Sequence, residues 1–504
     1  MRFASRLLLA SALATAAIVP AAAEKLVMMH TNDTHSQIDP FDDDDMAGVL
    51  RRKVVIDSVR AHEPHTLLID AGDMVQGSLF FTIFGGEVEE KVANALGYDL
   101  RILGNHEFDN GIDSMARWMA MSSAELISTN YDMRDTRLVG KLFKPYTIKE
   151  VGGRRIGFIG INRDPEGLAR VGTYDGVKYH DAIEAANAAA WWLKNVEHCD
   201  AVVALTHIGY KVSDDIDDVT LAASSRDIDV IIGGHSHTVI DPATEKGRAM
   251  GHLLNAVGDT VLVAQTGKGA RNLGIVELDL ETLRPSSRYI SVDSRLDGRV
   301  NSDLADMIGS YRQGVDSLNS VRVATSAVPL PQGSPELLNY VTDFVLERGR
   351  ELAPDVDLAI MNRGGLRRSL PQGDITEGQI IMMMPFYNYI DVIDIKGSDL
   401  LDAFDVTAAF GGQGVSSNVS ATVNTTTKKA SNVKINGKPI DPKATYRLAT
   451  IDYLSSGGDY MKPFTHGAKV AQSPNVIYYD LMDHMRATNE IINPSAQSRV
   501  KVVK

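Results

Sequence analysis

The stretch Leu100-Arg101-Ile102-Leu103-Gly104-Asn105-His106-Glu107-Phe108-Asp109 holds, in miniature, the pattern that decides the fold. A short apolar run of the kind that forms a buried strand stops at a glycine, and an amide, an imidazole and two carboxylates follow at once. The same succession recurs on both sides of it. Residues 25–29 lead into His30-Thr31-Asn32-Asp33-Thr34-His35, and residues 66–69 into Asp70-Ala71-Gly72-Asp73. Residues 201–205 lead into Thr206-His207, and residues 230–232 into Gly233-Gly234-His235-Ser236-His237. Segments 49–60 and 181–196 between these runs have helical character. Buried strands alternating with helices predict an α/β domain, in which ligands bind beyond the carboxyl ends of the strands. Two further strands within 261–280 close this domain, and a helical pattern over 302–319 bridges to a second unit. That unit mixes helices expected at 335–350 and 397–404 with strands expected at 356–360, 392–395 and 446–450. Its Thr- and Asn-rich segment 419–429 reads as an exposed loop, and Met382-Met383-Met384 as a buried strand. The predicted organisation is a leader over 1–23, a first domain over 24–295, a linker helix within 296–323 and a second domain over 324–504.

The amino terminus decides the compartment. Arg2 and Arg6 precede an apolar run over 7–19, and Ala21-Ala22-Ala23 follows. This is the pattern of a secretory signal peptide cleaved near Ala23, which predicts a periplasmic or secreted protein. The run is shorter than the roughly 20 apolar residues a membrane span needs, so no membrane anchoring is expected. Cys199 is the single cysteine, so an internal disulfide is impossible and core burial must hold the fold. A net charge of −14, more negative still once Arg2 and Arg6 are removed, argues against nucleic-acid and anionic-membrane partners. A phosphorylated substrate would then need local positive charge, which bound metal supplies. The expected state is a monomer or a homodimer.

Asp33, His35, Asp73, Asn105, His207, His235 and His237 offer carboxylate, amide and imidazole donors and no thiolate. Such a set suits Zn, Mn, Fe or Co rather than a structural Cys-rich zinc site. Residues at i and i+2 of an extended segment point the same way, so Asp33 with His35, and His235 with His237, are expected to reach a common centre. These donors exceed the needs of one tetrahedral ion. Two divalent ions about 4 Å apart, sharing a bridging carboxylate, would use them all, clamp a phosphoryl group and generate hydroxide at neutral pH. His106 adjoins the expected ligand Asn105 and has Asp109 three residues on. Its side chain is free to stabilise charge on the phosphate or protonate the leaving alkoxide, with Asp109 fixing its orientation.

Taken in order, D-x-H, G-D, G-N-H-E-x-D, H and G-H-x-H resemble the motifs of the calcineurin-type metallophosphoesterases. Asn362-Arg363-Gly364-Gly365-Leu366-Arg367, Pro385-Phe386-Tyr387-Asn388 and Tyr453-Leu454-Ser455-Ser456-Gly457-Gly458-Asp459 resemble the carboxyl-terminal domain of the 5′-nucleotidase family. The resemblance implies a four-layer α-β-β-α first domain and a smaller α+β second domain. It implies that Asp33, His35, Asp73 and His237 hold one metal, and that Asp73, Asn105, His207 and His235 hold the other, with Asp73 bridging. His106 and Asp109 match the family's catalytic dyad. Phe386 and Tyr453 match two aromatic positions that sandwich a nucleotide base, where stacking contributes about 1–3 kcal/mol. Asn362, Arg367, Asn388 and Asp459 match substrate-contacting segments. The implied reaction is hydrolysis of nucleotide 5′-phosphates to nucleoside and phosphate. Three positions depart from the family pattern: Glu336 stands where an arginine often contacts substrate, and Arg363 and Ser36 replace glycines.

Singly, each motif has a bland reading. A lone G-D or T-H is usually a turn, and only the ordered set carries the chemistry. His30, His62, His65, His180, His198 and His252 fall outside the set and read as surface or packing histidines. The acidic run Asp42 to Asp45 reads as a solvated loop, and Trp191-Trp192 as helix packing. Rival readings keep the metals and change the substrate to 2′,3′-cyclic nucleotides, UDP-sugars or a sulfur compound. A rival of another class is an exported binding protein or adhesin on a silent scaffold. Degenerate ligands would mark that case, whereas every ligand position and the dyad are filled here.

Overall fold

A computed structural model describes residues 24–138, 142–212, 216–299, 301–489 and 491–504. The expected leader over 1–23 lies outside the described residues. Strand Lys25–Thr31 sits at the heart of the first half, paired in parallel with Thr66–Asp70 and antiparallel with Asn272–Asp279. It belongs to a seven-stranded sheet that continues in parallel through Leu100–Arg101, Glu125–Ile127 and Phe143–Lys144. A six-stranded sheet centres on Ala201–His207, flanked in parallel by Arg154–Asn162 and Val230–Gly233.

Side-chain alternation along these strands explains the layering. Leu26 and Met28 point into a core shared between the sheets, with Ile69, Phe158, Val203, Leu205 and Ile232. Val27 and Met29 point the other way, into a core with Val55, Ile56, Val88 and Val92 of helices Val49–His62 and Glu87–Leu96. On the far side of the second sheet, Ile159, Val202 and Ala204 pack with Ala186, Ala190 and Leu193 of helix Ala182–Asn195. Strands buried on both faces read as continuous apolar runs, which is why the first half shows apolar blocks rather than alternation. The result is the four-layer α-β-β-α arrangement.

Helix Ser302–Ser320 leads to the second half. There, helix Pro335–Leu352 packs on a five-stranded sheet containing Leu358–Met361, Thr445–Ile451 and Tyr389–Lys396. Four readings are corrected. The Thr- and Asn-rich segment forms a hairpin, Val419–Asn424 with Lys429–Ile435, and the alternate residues Val419, Ala421 and Val423 are buried. Met382 and Met383 end helix Glu377–Met383, whose capping box at Thr376 and Gln379 starts a helix where apolar content alone suggested a strand. A third strand, Pro285–Ser291, follows the two expected within 261–280. Trp191 and Trp192 are 54% and 43% exposed, because the alanines of their helix take the sheet-facing positions instead. No helix of the described residues is long and apolar enough to cross a membrane.

Arg101, on the strand that opens the decisive stretch, is fully enclosed and its Nη1 lies 2.7 Å from Glu90 Oε2 of helix Glu87–Leu96. Removing one partner of a buried ion pair strands the other in low dielectric, at about 3–5 kcal/mol. Glu90→Gln is therefore expected to lower the unfolding free energy obtained from urea titration by that amount; an unchanged value would show that the pair contributes nothing.

Candidate active site

Every expected metal ligand lies at or just past the carboxyl end of a strand. Asp33 and His35 follow Lys25–Thr31, Asp73 follows Thr66–Asp70, and Asn105 follows Leu100–Arg101. His207 ends Ala201–His207, and His235 and His237 follow Val230–Gly233. The expectation that i and i+2 pairs converge through extended backbone is wrong in its mechanism. Asp33 (φ 49°), His35 (φ 48°), Asp73 (φ 55°), His235 (φ 75°) and His237 (φ 55°) are all left-handed, so the loops coil toward one point. Such conformations cost about 1–2 kcal/mol per non-glycine residue and persist where surrounding bonds hold them. Asp33 N donates to Gly72 O (2.9 Å) and His35 N to Asp73 O (3.0 Å), binding the first two loops together. Gly72 (φ 88°) permits this: a Cβ there would stand 2.6 Å from Leu103 O and 2.8 Å from His207 Nδ1.

The loops bring the donors into two adjoining groups. In the first, Asp33 Oδ1 lies 3.4 Å from His237 Nε2 and 4.0 Å from His35 Nε2, and the two imidazole nitrogens are 3.0 Å apart. In the second, His207 Nε2 lies 3.0 Å from Asp73 Oδ2 and 3.8 Å from Asp33 Oδ1. His235 Nδ1 lies 2.9 Å from Asn105 Oδ1. His207, His235 and Asp73 can share one ion, as can Asp33, His35 and His237. His35, Asp73 and His106 also lie within ligating distance of a common point, so Asp73 stands between the groups.

The chemistry of His207 shows that the donor set fits a metal. Its Nδ1–H donates to Ala71 O at 2.7 Å, which leaves a lone pair on Nε2. That buried atom makes no hydrogen bond; its 3.0 Å approach to Asp73 has the length of one but not the angle. A lone pair facing two carboxylates is repulsive unless a cation lies between them. Burial opposes charge on His207, but Asp73 and Asp33 outweigh it and push its pKa up to about 10: a proton takes Nε2 where no metal does, so the place draws positive charge either way.

Beside these groups, His106 Nδ1 lies 2.9 Å from Asp109 Oδ2, leaving Nε2 as the free ring atom. Burial works against a charge on His106, yet Asp109 and Asp73 hold its pKa above the usual imidazole value. The ring stacks on Phe386 of the second half, with centroids 5.8 Å apart and planes 24° from parallel. A cavity of about 170 Å³ opens here, lined by Asn105, His106 and Asp109 from the first half. Asn362, Arg367, Phe386, Asn388, Tyr453 and Asp459 line it from the second. Tyr453 Oη donates to Asp459 Oδ1 (2.9 Å), and Asn362 Nδ2 donates to Asp459 Oδ2 (2.8 Å). Burial pushes the Asp459 carboxyl up, and these two bonds oppose it. Asp459 N also donates to Gly167 O at 3.0 Å, and Tyr387 Oη to Thr82 O at 3.0 Å, so the two halves meet around the cavity. The expected metal ligands thus gather in two adjoining groups, and the expected dyad and substrate contacts line the cavity beside them.

Two residues outside the expected set belong here. Glu107 is buried, and its carboxylate accepts from the backbone N–H groups of Asp73 (3.1 Å), Met74 (2.8 Å) and Gly104 (2.5 Å). It thereby ties the Asp73 loop to the Asn105 loop. Gln76 is 1% exposed, left-handed (φ 70°) and lines the cavity, with both amide atoms unpartnered. For Glu107 the only sequence signal is its place within the G-N-H-E-x-D motif; Gln76 gives none.

Comparison with known proteins agrees with this arrangement. The calcineurin-like phosphoesterase family matches residues 26–239, and the 5′-nucleotidase C-terminal domain family matches residues 320–466. The chain belongs to the 5′-nucleotidase family. It is a metal-dependent phosphoric ester hydrolase. The family's trifunctional nucleotide phosphoesterase protein YfkN of Bacillus subtilis is 26% identical over 95% of this chain, which spans 35% of that longer protein. A 5′-nucleotidase-related protein of Glossina morsitans morsitans is 27% identical over 95% of this chain and 94% of its own length. The crystal structure of a 5′-nucleotidase precursor from Thermus thermophilus superposes with a TM-score of 0.85 at 26% identity, covering 95% of this chain and 99% of that one.

Groups that orient metal ligands typically contribute about 10–100-fold to metal affinity. Glu107→Gln replaces one acceptor oxygen by a donor that faces backbone N–H groups. Its metal affinity, measured by titration into apoprotein, is expected to fall within that range while the circular-dichroism spectrum is retained. Unaltered affinity would remove Glu107 from the site.

Proposed function

We propose that this protein is an exported dinuclear-metal 5′-nucleotidase that hydrolyses nucleotide 5′-phosphates to nucleoside and phosphate. The observation that carries this reading is the shared wall of the cavity. The His106–Asp109 dyad and the candidate ligand Asn105 face the same space as Phe386, Tyr453 and the half-buried side chain of Arg367. A ring stack, a cation and a proton-transfer group in one cavity match the base, phosphate and leaving oxygen of a nucleotide. Relatives named as nucleotide phosphoesterase and 5′-nucleotidase support the same substrate class. The leader pattern over 1–23 supports export.

In this reading Asp33, His35, Asp73 and His237 hold one ion, and Asp73, Asn105, His207 and His235 the other; Zn, Mn, Co or Fe suits the donors. The pair would supply hydroxide at neutral pH and cover for the phosphoryl charge. Phe386 and Tyr453 receive the base, with Asn362, Asn388 and Asp459 around the nucleoside. Asp109 orients His106 so that Nε2 faces the scissile ester. When hydroxide attacks phosphorus and the P–O5′ bond breaks, His106 gives its Nε2 proton to the leaving oxygen.

A panel of nucleoside monophosphates, cyclic nucleotides, UDP-glucose and an aryl phosphate tests the substrate. Nucleoside 5′-monophosphates are expected to give the highest kcat/KM, and chelation to abolish turnover until Mn²⁺, Zn²⁺ or Co²⁺ is restored. Turnover surviving thorough chelation, or a better substrate lacking a 5′-phosphate, would overturn the reading. His106→Ala is expected to lower kcat by about 10²–10⁴-fold with metal content unchanged. An unaltered kcat would take His106 out of the chemistry, and lost metal would make it a ligand.

A further inference from the structure

Gln76 is the anomaly of the cavity wall. It is 1% exposed, and neither of its amide atoms has a hydrogen-bond partner among the described residues. Its backbone is left-handed at φ 70°, a conformation that side chains with a Cβ rarely adopt. An enclosed amide that bonds nothing forfeits the hydration of both its ends, and the left-handed backbone adds strain. The free protein gains nothing from either. Such uncompensated terms at one residue of an active-site wall point to a partner that arrives with the ligand.

The segment around Gln76 is fixed on both sides. Met74 N donates to Glu107 Oε1 (2.8 Å), and Met74 O accepts from Ser36 N (2.8 Å). Ser78 Oγ lies 2.6 Å from Ser36 Oγ. Gly77 (φ 124°) lies against the backbone of His35, where a Cβ would stand 2.8 Å from His35 O. Gln76 follows Asp73 in this segment and stands beside the loop that carries His35, so it sits between two of the candidate ligand loops. It lines the same cavity as Asn105, His106 and Phe386. Its neighbours on the wall are already committed, Asn105 Oδ1 to His235 Nδ1 and His106 Nδ1 to Asp109 Oδ2, both at 2.9 Å. The unbranched Gln76 side chain has no bond to break, so a change of rotamer carries its amide to the cavity face.

We propose that Gln76 holds the two reactants of ester hydrolysis in register: its Nε2 donates to a non-bridging phosphoryl oxygen, and its Oε1 accepts from the attacking hydroxide. This role rests on the proposed attack of hydroxide on phosphorus, and not on which leaving group departs. A carboxamide presents a donor and an acceptor side by side. An ionised phosphate offers acceptors alone, so the O–H that meets Oε1 belongs to the nucleophile. Ribose hydroxyls also carry O–H, but a side chain between the Asp73 and His35 loops faces the phosphoryl end of the substrate. The hydroxide oxygen bonds to phosphorus as the P–O bond to the leaving oxygen breaks. The leaving oxygen takes the proton of His106, and the hydroxide keeps its own, hydrogen-bonded to Oε1. A donor held on a non-bridging oxygen favours the transition state over the bound ester, so its loss falls on kcat.

The test compares Gln76→Met and Gln76→Glu with the wild-type enzyme, each loaded with the same metal, on a nucleoside 5′-monophosphate and on p-nitrophenyl phosphate. Met has nearly the shape of Gln without its polar atoms, and Glu keeps acceptors but lacks the donor. Both substitutions are expected to lower kcat by about 10²-fold on both substrates, with KM changed less than about threefold and metal content unchanged. Met also removes two polar atoms that the free protein leaves unpaired. Gln76→Met is therefore expected to raise the melting temperature of the apoprotein by about 1–3 °C. A residue that merely braces the loop would move it the other way. Wild-type kcat in either variant, a loss confined to the nucleotide, or a lowered melting temperature with lost metal would overturn the assignment. The aryl phosphate separates it from the nucleotidase reading, because an enzyme that hydrolysed no nucleotide would sink that reading and still put Gln76 to the test.

Discussion

The architecture of the active site follows from one electrostatic constraint: buried carboxylates and imidazole lone pairs are forced together, and only cations make that stable. Asp33 is fully enclosed, and three imidazole nitrogens lie within 4.0 Å of its Oδ1. The bonds that Asp33 accepts from Asn32 Nδ2 and His235 N offset only part of its desolvation cost, and positive charge between the groups offsets the rest. The strain in the loops has the same origin. Left-handed backbone at Asp33, His35, Asp73, His235 and His237 is the conformation in which parallel strand ends deliver side chains to one point. The network of Glu107, Gly72 and the Asp33–Gly72 bond holds those loops without metal, so the donors are organised in advance.

The second half completes the site. Its contribution is a rim of substrate-facing groups that the cavity sets against the dyad, with Phe386 stacked on His106 and Tyr453 fixed by Asp459. The bonds that join the halves here are polar, among them Asp459 N to Gly167 O, Tyr387 Oη to Thr82 O, and Arg170 Nη1 to Asp452 Oδ2 at 3.4 Å. Such contacts align the two surfaces without burying the cavity between them.

The departures from the family pattern find physical accounts of unequal depth. Arg363 is committed elsewhere: its Nε donates to Gly412 O (3.0 Å) and its Nη1 to Gly333 O (3.3 Å), so it does not line the cavity. Glu336 opens helix Pro335–Leu352, where an acidic first turn is favourable, and it too lies outside the cavity lining. Ser36, left-handed at φ 55°, is held by its N–H to Met74 O at 2.8 Å and by its hydroxyl to Ser78 (2.6 Å) and Glu89. Burial pushes Glu89 up to about 7, and a carboxyl near neutrality is a tolerable partner for an enclosed hydroxyl.

The sequence by itself determined the strand ends, the donor types and their order. A strand buried on both faces must be apolar, and a polar cluster directly after it must sit at the sheet's edge. Asp33, His35, Asp73, Asn105, His207, His235, His237, His106 and Asp109 were legible for that reason, since motif spacing along the chain records strand ends. Tertiary structure alone decided how the ligand loops curl, because backbone handedness at Asp33 or His237 depends on bonds to loops distant in the chain. It also decided that Glu107 grips two loops and that Gln76 is enclosed without partners. Residues that act through distant neighbours carry no local pattern, so nothing in the linear order around Gln76 announces where folding will put it.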